Sequence, residues 1–384
     1  MQKRMIAMAV LAAGVLGVPA LSAADETPMV KGNVEIYGQA KVSVDSISTN
    51  YDKPQDQKLT KVSSNSSRLG IKGSEGLSDD LSAVYQMEFG VNMDGTTTDV
   101  VTSIPTTTAN PKTTSVNTLS MRNTFAGIKS KAFGTVFFGV YDTPYKVSTG
   151  RLDAFADTMA DYNAIMGNVN GTANFDLRPK DEVYYTSPTF AGVNLSVARS
   201  VTGSETDNKQ DSNASLTSAM IAYDQAPLYV TAAYEVHKSG ITSWDSKTAI
   251  KGTKFGAGYT IEVTGTKLGV VYESLKDDAS KSNFSRNAIY AAVSQKLGAE
   301  TLKLAYGKAS DGENDATKTG ATFTAFGIDH AFSKRTTIYA LYAKTSNNSD
   351  ATYGLGQSGA GGAFTPSVAG KSPSVISLGM AHQF

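Results

Sequence analysis

LYVTAAYEVH, residues Leu228–His237, is the stretch that decides the fold. Leu228, Val230, Ala232, Tyr234 and Val236 form one face, and Tyr229, Thr231, Ala233, Glu235 and His237 the other. A period of two belongs to a β-strand with different surroundings on its two faces. The pattern recurs downstream, where Phe255, Ala257, Tyr259 and Ile261 alternate with Gly256, Gly258 and Thr260, and Leu268, Val270 and Tyr272 with Lys267, Gly269 and Glu273. Very few residues join these segments, so they read as hairpins.

Extending the reading predicts strands near 33–45, 60–75, 79–93, 118–130, 133–141, 179–188, 192–200, 215–225, 227–237, 253–262, 265–273, 286–296, 299–309, 321–331, 335–344 and 372–384. That is about sixteen, an even number in the range of single-chain bacterial barrels. Connections alternate in length. Gly76–Ser78, Ser130–Ala132, Pro188–Ala191, Gln225–Pro227, Glu262–Gly265, Leu297–Ala299 and Phe332–Arg335 are short, and the connections between them are long and polar. One end of short turns and one of long loops is the layout of a transmembrane antiparallel β-barrel.

Composition agrees. The chain has 35 Gly, 18 Tyr, 15 Phe and one Trp in 384 residues, with mean hydropathy −0.20. A barrel wall gives such a low mean, because every second residue faces a polar lumen. The first residues put Lys3 and Arg4 before an apolar run and small residues at Ser22 and Ala24, so residues 1–24 read as a cleaved signal peptide and 25–384 as one barrel domain. Without Lys3 and Arg4, 33 basic residues face 35 acidic ones, a balance that argues against a nucleic-acid partner. No cysteine is present, which excludes disulfide and thiolate-metal chemistry.

Residues Asp142–Thr172 interrupt the alternation for far longer than the usual loop of about 4–6 residues. They carry Asp153, Asp157 and Asp161 at four-residue spacing, which a short helix would stack on one face. Alternation turns Arg68 and Lys72 inward opposite lipid-facing Leu69 and Ile71, and Arg122 inward between outward Met121 and Phe125. Glu88 shares the inward face with Val84 and Gln86, and Arg178 lies where the chain re-enters the wall. A basic residue facing lipid at the midplane would cost about 2–4 kcal/mol, so the inward assignment is also the cheaper one.

The stretches SRLGIKGSE (Ser67–Glu75), MRNTFAGIK (Met121–Lys129), FGTVFFG (Phe133–Gly139) with Asp142-Thr143-Pro144, VYYTSP (Val183–Pro188) and the terminal AHQF (Ala381–Phe384) resemble the general diffusion porins of the Gram-negative outer membrane. The resemblance implies a trimeric, sixteen-stranded barrel exported to the outer membrane, whose long third loop folds into the lumen. It places Arg68, Arg122 and Arg178 on a basic wall facing the acids of that loop, with small hydrophilic solutes and ions, membrane lipid and lipopolysaccharide as partners. Val140 and Phe137 depart from the family pattern, so the basic wall is expected to be thin and selectivity weak, of either sign.

No cofactor or catalytic set is legible. His237, His330 and His382 are widely separated, and no HExxH, GxSxG or phosphate loop occurs. Asp311–Asp315 reads as a solvated loop rather than a calcium site. Two alternatives remain: a substrate-specific channel for sugars or organic acids, with Tyr141, Tyr145, Phe155 and Tyr162 as an aromatic track, and a non-channel adhesin using the long loops Asp94–Asn117 and Ser346–Lys371.

Overall fold

The computed structural model describes residues 32–53, 57–95, 98–100, 115–117, 119–173, 175–200, 215–238, 249–278, 284–314, 316–356 and 363–384. The signal-peptide reading, most of the Asp94–Asn117 loop and Asp315 lie outside them.

Sixteen strands make one closed antiparallel barrel. They are β1 (Asn33–Ser48), β2 (Lys58–Ser64 and Arg68–Gly76), β3 (Leu81–Val91), β4 (Leu119–Met121 and Thr124–Ser130), β5 (Gly134–Val140), β6 (Glu182–Thr186), β7 (Val193–Ser200) and β8 (Ser215–Gln225). The second half is β9 (Leu228–Lys238), β10 (Ile250–Ile261), β11 (Thr266–Asp277), β12 (Arg286–Leu297), β13 (Glu300–Ala309), β14 (Ala321–Ala331), β15 (Thr336–Asn347) and β16 (Ser374–Gln383). Each strand pairs with the next, and β16 returns to β1 from Gln39↔Gln383 to Ser48↔Ser374. At that seam Gly38 N donates to the Phe384 carbonyl at 2.9 Å and Phe384 N to the Gly38 carbonyl at 3.1 Å. A Cβ on Gly38 would meet the Phe384 ring at 2.4 Å and the Arg68 carbonyl oxygen at 2.7 Å, and because the second is backbone the site favours glycine.

The period of two shows directly in exposure. On β9, Leu228, Val230 and Tyr234 are 38–45% exposed while Tyr229, Thr231, Ala233, Glu235 and His237 are buried. Across the barrel the exposed large apolar residues fall on the outer face, among them Val34, Ile36, Val44, Leu69, Ile221, Phe255, Leu304, Phe326 and Leu378. A continuous apolar exterior of this extent belongs against lipid.

Two strands break the alternation. Three residues of β2, Asn65–Ser67, oppose Ala40 and Lys41 of β1, and three of β4, Arg122–Thr124, oppose Met87 and Glu88 of β3. Each is a bulge with one extra residue, which reverses the facing beyond it. Met121 therefore points outward, 58% exposed, and so does Ile128, whereas Phe125 packs at 4.4 Å against inward-facing Phe137. The expectation that Phe125 faces lipid is corrected by that extra residue.

The third long connection, between β5 and β6, is packed against the inward face of the wall. Its one helix, α1 (Pro144–Gly150), begins at Thr143, whose hydroxyl accepts from Lys146 N, with proline in the first turn. Beyond it, Leu152 methyls lie 2.7 and 2.8 Å from where Cβ atoms on Gly256 and Gly258 would sit, Phe175 2.6 Å from that of Gly252, and Phe155 2.7 Å from that of Gly327. These wall glycines are seats for the loop. Leu152, Phe155, Met159, Tyr162, Ile165 and Met166 then form one core with Tyr229, Val271, Tyr290, Phe323 and Leu341 of the barrel.

Candidate pore constriction

The three loop aspartates separate into two roles. Asp153 accepts from Phe155 N at 2.9 Å, Tyr290 Oη at 2.8 Å and Tyr162 N at 3.0 Å, and Asp161 accepts from Asp157 N and Asn163 N, both at 2.9 Å. Asp161 thereby caps the 3-10 turn Tyr162–Ala164. Both are turn formers aimed into the loop. Burial lifts both carboxyls above the usual range, Asp161 strongly, with the neighbouring Asp153 and Asp157 charges adding to it. The expected stack on one helical face is absent: residues 151–161 run through turns, and Asp157 has φ 56°. Of the three, Asp157 alone lines the opening described next.

That opening is a space of about 750 Å³ between the loop and the wall of β1 to β4. Arg68 Nη1 reaches Asp157 Oδ2 at 3.3 Å, both side chains one-quarter exposed, and Lys41 Nζ donates to the Ala156 carbonyl at 2.7 Å. Arg122 Nε donates to Glu88 Oε1 at 2.7 Å, and Tyr37 Oη donates to Glu88 Oε2 at 3.0 Å. Arg178 donates through Nε to Asn123 Oδ1 at 2.6 Å and through Nη2 to the Asp142 carboxylate at 3.0 Å, which also holds Lys146 at 2.8 Å. Burial alone would raise Asp142, but the Lys146 and Arg178 charges outweigh it and hold the carboxyl well below the usual range. Lys72 does not join this group. It pairs with Glu35 at 3.1 Å and lies over the Tyr37 ring, four residues beyond Arg68, or about 13 Å at 3.3 Å per strand residue.

The charged residues lining the opening are Arg68, Arg122, Lys146 and Arg178 against Glu88, Asp142, Asp157 and Asp176. Asp176 is cancelled from behind by buried Lys254 at 2.5 Å. Four cations then face three anions.

Sequence reasoning missed the anchor that fixes the loop. Glu273 of β11 accepts from Gly167 N at 3.1 and 3.0 Å and from Tyr145 Oη at 2.9 Å, and pairs with Arg286 of β12 at 2.8 Å and Lys254 of β10 at 3.6 Å. Arg286 in turn donates to the carbonyls of Ile165, at 2.9 Å, and Asn168. The signal was in the alternation, since Lys254 and Glu273 fall on the inward face of their strands. Asn123, Asp142 and Lys146 were also unassigned, although Thr143-Pro144 marks a helix start that sets Asp142 and Lys146 one turn apart. The expected aromatic track fails for three of its four members, because Tyr145, Phe155 and Tyr162 are buried in the loop packing.

A family model described as Gram-negative porin matches residues 7–373. Outer membrane porin protein 32 of Delftia acidovorans is 25% identical over 398 residues, with 100% of each chain covered. Major outer membrane protein P.IB of Neisseria sicca is 29% identical over 168 residues, 43% of this chain and 41% of that protein, so here the match spans under half the relative's length. Among solved structures, the anion-selective porin from Comamonas acidovorans superposes with TM-score 0.72 at 22% identity, covering 92% of this chain and 100% of that one. OmpT of Vibrio cholerae, in a trimer form, gives 0.64 at 19%, covering 92% and 99%. At such identities the structures speak for the fold.

Proposed function

The chain belongs to the Gram-negative porin family, is an outer-membrane channel protein, and on that premise we propose that it passes small hydrophilic solutes and ions by diffusion through the gap between the Asp157 loop and the wall bearing Arg68, Arg122 and Arg178. In this reading residues 1–24 are the export signal, 25–384 the barrel, three copies assemble, and the exterior meets lipid and lipopolysaccharide. The observation that carries it is the Arg68–Asp157 contact at 3.3 Å, wall to loop, beside a water-accessible space lined by charge. Arg68 on the wall and Asp157 on the loop are opposed, and with the other charges of the lining they orient water and polar solutes, whereas an apolar solute must disrupt that water, so passage is filtered by size and polarity with no bond made or broken.

Four cations against three anions favour a weak anion preference. The Comamonas porin, described as anion-selective, is consistent with that sign. Asp153 and Asp161 are turned into the loop and do not line the opening, so they add nothing to that balance. Swelling of liposomes that contain the purified protein tests the diffusion reading. Neutral sugars should enter at rates that fall steeply with size; no swelling, or rates independent of size, would contradict it.

A further inference from the structure

Four rings cluster near the arginines: Phe125 on β4, three residues after Arg122, Phe137 on β5, Tyr184 on β6, and Tyr141 just past the loop end of β5, next to Asp142, which Arg178 holds. Phe137 and Tyr184 stack at 4.7 Å with planes 11° apart, Phe125 lies 4.4 Å from Phe137, and Tyr141 meets Phe125, Phe137 and Tyr184 at 5.4, 4.9 and 5.2 Å. Phe137 and Tyr184 are buried, whereas Phe125 and Tyr141 are half-buried. We propose that this patch and Arg122 and Arg178 together form a subsite for solutes carrying one carboxylate on a planar ring.

Placement supports it first. The bulge at Arg122–Thr124 is what brings Phe125 to the inward face, so one local irregularity sets both a guanidinium and a ring on the same side. Gly139, at φ 146°, has no side chain to separate Phe125 from its neighbours: a Cβ there would lie 3.2 Å from that of Phe125 and 2.3 Å from the Thr124 carbonyl. Tyr141 directly precedes Asp142, and Phe125 follows Asn123 by two residues, so the two half-buried rings are neighbours in the chain of residues that line the opening.

Chemistry supports it second. Arg122 uses Nε for Glu88, and Arg178 uses Nε and Nη2 for Asn123 and Asp142; among the described residues, Nη1 and Nη2 of Arg122 and Nη1 of Arg178 make no further hydrogen bond. A guanidinium edge of this kind suits a carboxylate. Arg122, Arg178 and Lys146 against Glu88 and Asp142 leave one positive charge, enough for a monoanion and not for a dianion. Phe125 and Tyr141, the two rings that are not fully buried, are the ones that can meet a further aromatic partner, an interaction that acts in addition to area burial.

This inference rests on the channel reading and is tested with it. Single-channel KCl currents are recorded in planar bilayers with benzoate (ring and charge), acetate (charge alone) or benzyl alcohol (ring alone) added. Benzoate should block about 2- to 12-fold more tightly than acetate, the factor of one aromatic contact, and benzyl alcohol should block weakly. In the double variant Phe125→Leu, Tyr141→Leu, which keeps the wall filled, that advantage should fall toward one while KCl conductance stays. Equal block by benzoate and acetate, stronger block by benzyl alcohol, or an undiminished advantage in the variant would overturn the subsite. Absence of any current steps would instead count against the channel reading.

Discussion

Arg122 and Glu88 are held at 2.7 Å with side chains 18% and 9% exposed, and Tyr37 occupies the second carboxylate oxygen. Losing one partner of a buried ion pair costs about 3–5 kcal/mol, and partial hydration here reduces that figure. Arg122→Gln keeps a hydrogen-bond donor and removes the charge, bringing the lining from four cations against three anions to three against three. The reversal potential under a KCl gradient should shift from slight anion preference toward zero, and an unchanged value would remove Arg122 from the selectivity account. Asp161 shows how a legible spacing can mislead. Four-residue spacing was visible, but the carboxylates of Asp153 and Asp161 are taken up by nearby backbone N–H groups, a turn chemistry that outcompetes a helical stack. Asp157, with φ 56°, is left facing Arg68.

At the scale of elements, the third loop owes its path to contacts distant in sequence. Glycines at 252, 256, 258 and 327 receive Phe175, Leu152 and Phe155, and from three adjacent strands Lys254 holds the Asp176 carboxylate while Glu273 and Arg286 hold the loop backbone. None of these partners is near the loop in the chain, which is why its length was legible and its seating was not. The bulge in β4 was hidden for a similar reason: one extra residue carries no compositional mark, yet it moves Phe125 from lipid to lumen. Glu273→Gln removes the central charge of a fully buried network and should weaken the loop's attachment by about 3–5 kcal/mol. Trypsin should then cut the folded variant at exposed Arg151 faster than the native chain, because local opening exposes the segment to the protease. Equal cleavage rates would show that the network does not hold the loop.

For the whole molecule, sixteen strands were readable because lipid on one side and water on the other impose period two along nearly every strand. Strands β1 to β16 fall where alternation puts them, and the terminal Phe384 closes the seam against Gly38. In the proposed reading the barrel supplies the wall, the loop a narrowing, and four cations against three anions a faint sign to the field. Current recording from purified protein in planar bilayers under a KCl gradient tests this most directly. The account predicts discrete conductance steps with a reversal potential displaced slightly toward that of chloride; folded barrels that insert without producing steps, or a channel with strong cation preference, would contradict it.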